Sequence, residues 1–367
     1  MIRALARIDV GAIERNTARL VAAAPDAAVC AVVKADAYGH GMAPAARAAL
    51  AGGASWLAVA TAVEAATLRS AGIAERLLVL GALSDEELAV ALDADADIVI
   101  WRPETVARVS AHGGGRVHVK LDTGMGRLGT RDPGEATAIA HAAASARGVE
   151  VAGLMTHFAT ADEPGDAFFG EQLARFSAWA LPLREHHPGA LVHAANSAAT
   201  LRDPAAHFDL VRPGVALYGM DPFGIDPAAH GLEPALELTS YVAAVKPIAP
   251  GESAGYGRRF IAGEPTTIAT VPIGYGDGWR RGLTNAADVL VGGRRLPLVG
   301  TVSMDNVTLD AGADGGGARV GDEAVLIGAR GAERILAEEV ARRLGTINYE
   351  VTCGIGARVP REHVGAA

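Results

Sequence analysis

The sequence has little of what marks most other protein classes. Only Cys30 and Cys353 occur in 367 residues, too few for a disulfide framework. No stretch approaches the roughly 20 unbroken apolar residues that span a membrane. The opening MIRALARIDVGAIERN interrupts the apolar core that a signal peptide needs. Together these predict a soluble, cytoplasmic protein of a reducing compartment with no membrane contact. Positive charge is scarce too. Lys plus Arg number 33 against 42 Asp plus Glu, a net charge of −9, and binding a phosphate backbone calls for a basic face. Nucleic acid is therefore not an expected partner. The eleven histidines form no H-E-x-x-H or Cys/His ligand spacing, so no metal site is expected. Lysine is the rarest charge: Lys34, Lys120 and Lys246 are alone among the 33 basic residues. An amine can form a Schiff base or a carbamate, and a guanidinium cannot.

What is present is a large apolar fraction, 50% of the residues, enough for a real core. Eight short, β-branched runs recur through the first two-thirds of the chain: Ala28–Lys34, Trp56–Ala60, Leu77–Leu80, Ile98–Trp101, Val117–Asp122, Val151–His157, Leu191–Ser197 and Asp209–Arg212. Ala-rich stretches of helical period separate most of them. Ser84-Asp85-Glu86-Glu87 before Leu88 is a capping-box pattern. Strands alternating with helices imply a parallel sheet, and eight such units imply a (β/α)8 barrel. An open doubly wound sheet is the structural competitor, but the Gly-x-Gly-x-x-Gly expected after its first strand is missing. In Val117-His118-Val119-Lys120-Leu121-Asp122 the apolar residues share one face, while His118, Lys120 and Asp122 share the other. In a barrel the outer face meets helices, so the polar set points inward.

The chemistry-bearing motifs cluster at the C-terminal ends of these runs: KADAYGHG from Lys34, DTGMGRLG from Asp122, Thr156-His157-Phe158, Ala195-Asn196-Ser197 and Arg212-Pro213-Gly214-Val215. Barrel enzymes carry their chemistry on that rim, often with a phosphate site after strands seven and eight. That predicts Ser197 and the backbone of Gly214 and Val215 as a phosphate cradle. Taken singly, each motif is most simply a turn or a structural histidine; five on one rim are harder to dismiss.

From about Leu236 strand-like runs dominate: Thr239–Val245, Thr266–Val271, Asp288–Val291, Leu296–Val299, Val307–Asp310 and Ala324–Ile327, with one helix expected over Ala332–Leu344. The expected organisation is a barrel over residues 10–235 and a β-rich domain over 236–367, joined by the N-terminal strand 1–9. Tyr256, Tyr275 and Tyr349 stand out among only six tyrosines. The first two lie in glycine-flanked turns, where a phenol can serve as an acid or base if its surroundings lower its pKa.

Taken together, AVVKADAYGHG around Lys34, KLDTGMGRLG around Arg127, HAANSAATL around Ser197, VRPGVALYG around Arg212, GYGRRF around Tyr256, PIGYGDGW around Tyr275 and SMDN around Asp305 resemble the alanine racemase family over nearly the whole chain. The resemblance implies a barrel that binds pyridoxal 5'-phosphate and a homodimer in which one chain's barrel and the other's β domain share each active site. It implies that L- and D-alanine are interconverted by two bases. Lys34 is the Schiff-base lysine and serves the D-alanine face; Tyr256, from the partner chain, serves the L-alanine face. Arg212 contacts the pyridine nitrogen, with His157 orienting Arg212 or Tyr256. The phosphate contacts Tyr38, Ser197, Tyr349 and the Gly214 and Val215 backbone, with Asn196 also on the cofactor. Arg127 approaches the cofactor phenolate and the substrate carboxylate. Met304, Asp305 and Tyr275 lie by the substrate. Lys120 matches a lysine that is carbamylated in many relatives; an ordinary Lys120–Asp122 pair is the alternative. The implied role is supply of D-alanine for peptidoglycan. A broad-specificity amino-acid racemase and a non-catalytic pyridoxal-phosphate-binding protein are the other readings. A decarboxylase on the same barrel would be expected to carry an acidic pyridine partner instead of Arg212.

Overall fold

The computed structural model describes residues 2–365; Met1, Ala366 and Ala367, which end the two expected segments, lie outside the described residues. The strands of the first two-thirds are β1 (Leu5–Asp9), β2 (Ala28–Val32), β3 (Trp56–Val59), β4 (Arg76–Val79), β5 (Ala96–Ile100), β6 (Gly115–Lys120), β7 (Val149–Met155), β8 (Leu191–His193) and β9 (Leu210–Val211). Strands β2 to β9 form one all-parallel sheet in the order β8-β7-β6-β5-β4-β3-β2-β9. Asp209 N–H donates to the Val192 carbonyl and Arg212 N–H to the Ala195 carbonyl, which brings β9 back to β8. This is the expected eight-stranded barrel. Its strands are short and almost wholly buried, because helices cover the outside and side chains fill the inside. The covering helices start where the sequence signals them. Ser84 accepts from Glu87 N–H while Glu87 caps Ser84 in return, and Asp132 with Pro133 opens Pro133–Ser145.

The remaining residues build a mainly β unit. Its largest sheet includes Leu236–Tyr241, β1 and Arg361–Val364; β1 pairs antiparallel with the first and parallel with the last. Three expected elements differ. The run Leu296–Val299 is the strand Arg294–Pro297. The run Thr239–Val245 is two strands, Leu236–Tyr241 and Ala244–Ile248, in separate sheets. The chain crosses where Val242 N–H donates to the Asp322 carbonyl and Ala243 N–H to the Thr270 carbonyl. The expected helix Ala332–Leu344 begins only at Ala337, because Glu333–Ile335 pairs with Gly328–Arg330 as a hairpin. Its buried residues include Val340 and Ala341.

By contacts the chain divides into two compact units. One contains residues 13–37 and 42–217; the other contains 1–12, 38–41 and 218–367. Residues 10–12, 38–41 and 218–235, read from sequence as part of the barrel, group with the β-rich unit. For the last two the physical reason is aromatic: the Tyr38 ring packs on Tyr218 at 5.1 Å and on Tyr349 at 5.9 Å, and His40 stacks on Tyr218 at 4.5 Å.

Candidate active site

Of the polar residues expected to face inward, His118 does so, bonded to Asp97 of β5 and His193 of β8. His118 is fully buried, Lys120 is 5% exposed and Asp122 is buried. Asp122 is engaged by its own loop, accepting from the Gly124 and Gly126 N–H groups at 3.0 Å each and from Arg131 Nε at 3.3 Å. Burial pushes its carboxyl up, but those bonds outweigh burial and hold it below the ordinary aspartate value. Among the described residues it makes no ion pair with Lys120. Burial, together with Arg212, Arg127 and Lys34, lowers the Lys120 amine to about 8, with Asp122 alone opposing. An amine that sheds its proton near neutral pH is a nucleophile.

The same cations act on His157, which burial and Arg212, Lys120, Arg127 and Lys34 push well below the ordinary histidine value. The barrel mouth thus gathers four basic side chains, Lys34, Lys120, Arg127 and Arg212, that act together on His157, while Asp122 is held by its own loop. Lys34 is half-buried and Arg127 exposed, but the charges of Lys120 and Arg212 are buried and costly without anions beside them. A phosphate, a phenolate and a carboxylate meet that need, so the donor set fits pyridoxal phosphate bound beside an amino acid.

Arg212 follows β9 and is 3% exposed. Its Nη2 donates to the Ala194 carbonyl at 3.0 Å and the Thr156 carbonyl at 2.8 Å, and its Nη1 to His193 Nδ1 at 2.6 Å. His157 Nδ1 lies 3.5 Å from Nη2, a long contact. Burial lowers Arg212 to about 10, so it stays cationic at neutral pH and can only donate. Ser197 Oγ accepts from Gly214 N–H at 2.9 Å and Ala216 N–H at 3.3 Å. With both lone pairs filled, its hydroxyl hydrogen is left to donate outward. Gly214's N–H is therefore engaged within the protein. Asn196 Oδ1 accepts from Ala199 N–H and caps the helix Ser197–Arg202. Arg127 lies exposed in the glycine-rich loop after β6.

Lys34, half-buried, follows the end of β2. The turn it opens is left-handed: Ala35, Asp36, Ala37 and Tyr38 have φ near +54°, +52°, +55° and +55°. Each such residue costs about 1–2 kcal/mol, so the turn persists only because other bonds hold it. Ala35 N–H donates to Glu64 Oε1 at 2.7 Å, Ala37 N–H to the Val33 carbonyl at 2.9 Å and Met42 N–H to Asp36 Oδ1 at 2.8 Å.

The β-rich unit holds the other expected residues. Tyr38 is buried, and burial with the nearby Tyr349 and Cys353 raises its phenol above the ordinary value. It stays protonated and can donate. Tyr256 is 75% exposed. Its backbone is fixed, with Gly255 at φ +75° and Gly257 at φ +71°, and its carbonyl accepts from Thr301 Oγ1 at 2.7 Å. Tyr275 N–H donates to the Ser303 carbonyl at 3.0 Å and Gly276 N–H to the Met304 carbonyl at 2.9 Å. A Cβ on Gly274 would lie 2.2 Å from the Ser303 carbonyl oxygen. This close approach brings Tyr275, Met304 and Asp305 into one loop pair; Asp305 accepts from Arg358 Nη2 at 2.7 Å.

Sequence reasoning missed Asp97 and His193, which lie with His118 beneath Arg212. Asp97 accepts from His118 Nε2 at 2.9 Å, and His118 Nδ1 meets His193 Nε2 at 2.7 Å. It also missed Gln172, buried on the helix Phe168–His186. Gln172 donates to Thr123 Oγ1 at 3.1 Å and the His157 carbonyl at 3.3 Å, and accepts from Ala159 N–H at 2.8 Å. The available signal was a lone polar residue inside an apolar strand, as in Ala96-Asp97-Ile98-Val99-Ile100.

Comparison with known proteins agrees along the full chain. The family model described as alanine racemase, N-terminal domain matches residues 8–222, and that described as alanine racemase, C-terminal domain matches 235–363. An alanine racemase of Frankia casuarinae is 46% identical over 99% of this chain and 97% of its own length; one of Thermobifida fusca is 43% identical over 98% of each. The crystal structure of alanine racemase from E. faecalis superposes with a TM-score of 0.93 at 36% identity, covering 99% of this chain and 98% of that one. Alanine racemase from Streptomyces coelicolor gives 0.93 at 39%, with the same coverage of each chain. With barrel, β-rich unit and both family models in register, the chain belongs to the alanine racemase family.

Proposed function

We propose that the chain is an alanine racemase that interconverts L- and D-alanine with pyridoxal 5'-phosphate, as a homodimer whose active sites each combine two chains. The observation that carries this reading is the set of four basic side chains at the barrel mouth, with Lys34 among them at the end of the first barrel strand. Full-length membership of the family supports it. Bound pyridoxal phosphate supplies an electron sink for the charge left when the α-proton departs.

This chain's residues do the rest. Lys34 would hold the cofactor and would move the proton at the D-alanine face. Tyr256 of the second chain moves it at the L-alanine face, since inversion needs a proton donor and acceptor on each side. Arg212, cationic and donor-only, would hold the cofactor at its ring nitrogen and disfavour protonation there, which would limit the sink and disfavour transamination. Tyr38, Ser197, Tyr349 and the Val215 backbone bind the phosphate, with Gly214 N–H giving up its bond to Ser197 Oγ to join them and Asn196 fixing Ser197 through the helix it caps. His157, kept neutral, supports Arg212. Arg127 binds the substrate carboxylate, with Tyr275, Met304 and Asp305 at the substrate's side. Lys120 carries a carbamate, which would turn a buried cation into an anion able to orient Arg127. D-Alanine for peptidoglycan, made in the cytoplasm, is the role this supports.

The test is L-alanine with the pyridoxal-phosphate-loaded protein in heavy water, read by chiral separation and mass spectrometry. α-Deuterated D-alanine is the expected product. A lysine-bound cofactor spectrum with no D-alanine would redirect the reading to a binding protein.

A further inference from the structure

A hydrogen-bonded chain climbs the inside of the barrel. Asp97 is the second residue of β5, His118 the fourth of β6, His193 the last of β8, and Arg212 follows β9. All four are buried. At the lower end Asp97 is clamped by Arg76 Nη2 at 3.0 Å and Arg116 Nε at 2.6 Å. Burial pushes its carboxyl up, but the bonds from His118, Arg116 and Arg76 outweigh burial and keep it ionised.

The two ends determine the hydrogens between them. Arg212 can only donate, so His193 Nδ1 accepts and its hydrogen sits on Nε2. That N–H points at His118 Nδ1, which must accept, so His118 carries its hydrogen on Nε2 and gives it to Asp97. An ionised Asp97 can only accept, and so demands the same arrangement from below. Neither ring can flip its tautomer without breaking a bond at one end. The strands are shaped to admit this chain. A Cβ on Gly153 of β7 would lie 2.1 Å from His118 Nδ1, and the β6–β7 register shifts between Val117 and His118.

We propose that Asp97 is a positioning residue for Arg212, acting through His118 and His193: the carboxylate at the base of the barrel dictates the tautomer that presents an acceptor to the guanidinium at the rim. Its consequence for catalysis rests on the proposed role of Arg212, whereas the tautomer does not.

The decisive variant is Asp97→Asn in the full chain. Oδ1 accepts from Arg116 Nε at 2.6 Å and Arg76 Nε at 3.4 Å, while Oδ2 is shared by His118 and Arg76 Nη2; the Asn oxygen takes the Oδ1 place, and its NH2 displaces Arg76 Nη2 and faces His118, which must then accept at Nε2 and move its hydrogen to Nδ1. His193 Nε2 loses its acceptor. In histidine-labelled protein without cofactor, two-bond 1H–15N spectra are expected to show His193 as the Nε2–H form in the wild type and to lose that pattern in Asp97→Asn. With pyridoxal phosphate bound, kcat is expected to fall about ten-fold, as for groups that orient a ligand, with KM for alanine unchanged. His118→Phe, which keeps a ring beside Trp56, is expected to speed solvent exchange of the His193 Nε2 hydrogen at least about ten-fold and to lower kcat in the same way. A folded Asp97→Asn with the wild-type His193 pattern overturns the proposal. Where Asp97→Asn does not fold, unchanged exchange in His118→Phe overturns it. A shifted tautomer with unaltered kcat overturns the positioning of Arg212. Absence of racemisation in the wild type refutes the proposed function instead and leaves the spectra to decide.

Discussion

The barrel unit and the β-rich unit present their site residues in opposite ways. In the barrel, Arg212 and Lys120 are almost fully buried, and Arg212 is held by bonds to His193, Thr156 and Ala194. In the β-rich unit, Tyr256, Tyr275 and Met304 stand exposed on backbone loops that are themselves well bonded. A buried cation must be organised in advance, because it cannot rely on water. An exposed phenol needs only a fixed backbone until something covers it. The difference teaches that the barrel organises its cations internally, while the β-rich unit holds its groups in the open on a fixed backbone; under the proposed function another surface covers them. A second chain is the proposed source.

The sharpest way to break this contrast is in the barrel. Lys34→Ala is expected to lower racemisation by about 10⁴-fold or more and to remove the lysine-bound cofactor absorbance. Retained absorbance would take Lys34 out of its role. Tyr256→Phe is expected to slow proton removal from L-alanine by about 10²–10⁴-fold while leaving the cofactor spectrum intact. Mixing the two inactive variants sharpens the point. If each site takes Lys34 from one chain and Tyr256 from the other, random mixed dimers recover up to about one quarter of wild-type activity. A site built within one chain recovers nothing.

Stability measurements test the buried side on a smaller scale. Folding lowers Lys120 from 10.5 to about 8, so the unfolded chain binds more protons between those values. The cost is therefore complete below about pH 8 and fades as pH rises toward 10.5. In CO2-free buffer, the wild type is expected to gain about 3 kcal/mol on Lys120→Met across that window by urea unfolding. Added bicarbonate is expected to reduce the deficit near neutral pH, and a crystal map with an unmodified Lys120 would count against the carbamate. Smallest is Gly39→Ala. Gly39 has φ +84°, and a Cβ there would lie 2.4 Å from the Thr352 carbonyl oxygen. A loss of about 2 kcal/mol is expected by the same measurement; an unchanged midpoint would show that the turn relaxes freely.

Much of this was legible in the chain. Alternation in Val117–Asp122 was enough to turn His118 inward, because strand side chains alternate strictly. Eight apolar runs with helical spacers were enough for a parallel barrel. What escaped was non-local. Nothing near Lys34 in sequence announces four successive left-handed residues, since Ala35 and Ala37 disfavour that conformation locally. Glu64, 29 residues further on, is part of what holds the turn. Similarly, Glu333–Ile335 reads as helix by its neighbours and becomes a strand because Gly328–Arg330 offers it a ladder.

By itself, then, the sequence determined the parallel barrel, the β-rich remainder and the residues on the rim, because strand period, helix caps and glycine turns act over a few residues. Only the tertiary structure decided which polar groups meet. Asp97, His118, His193 and Arg212 come from four strands or their ends, and a hydrogen bond requires a proximity that only closure of the sheet supplies.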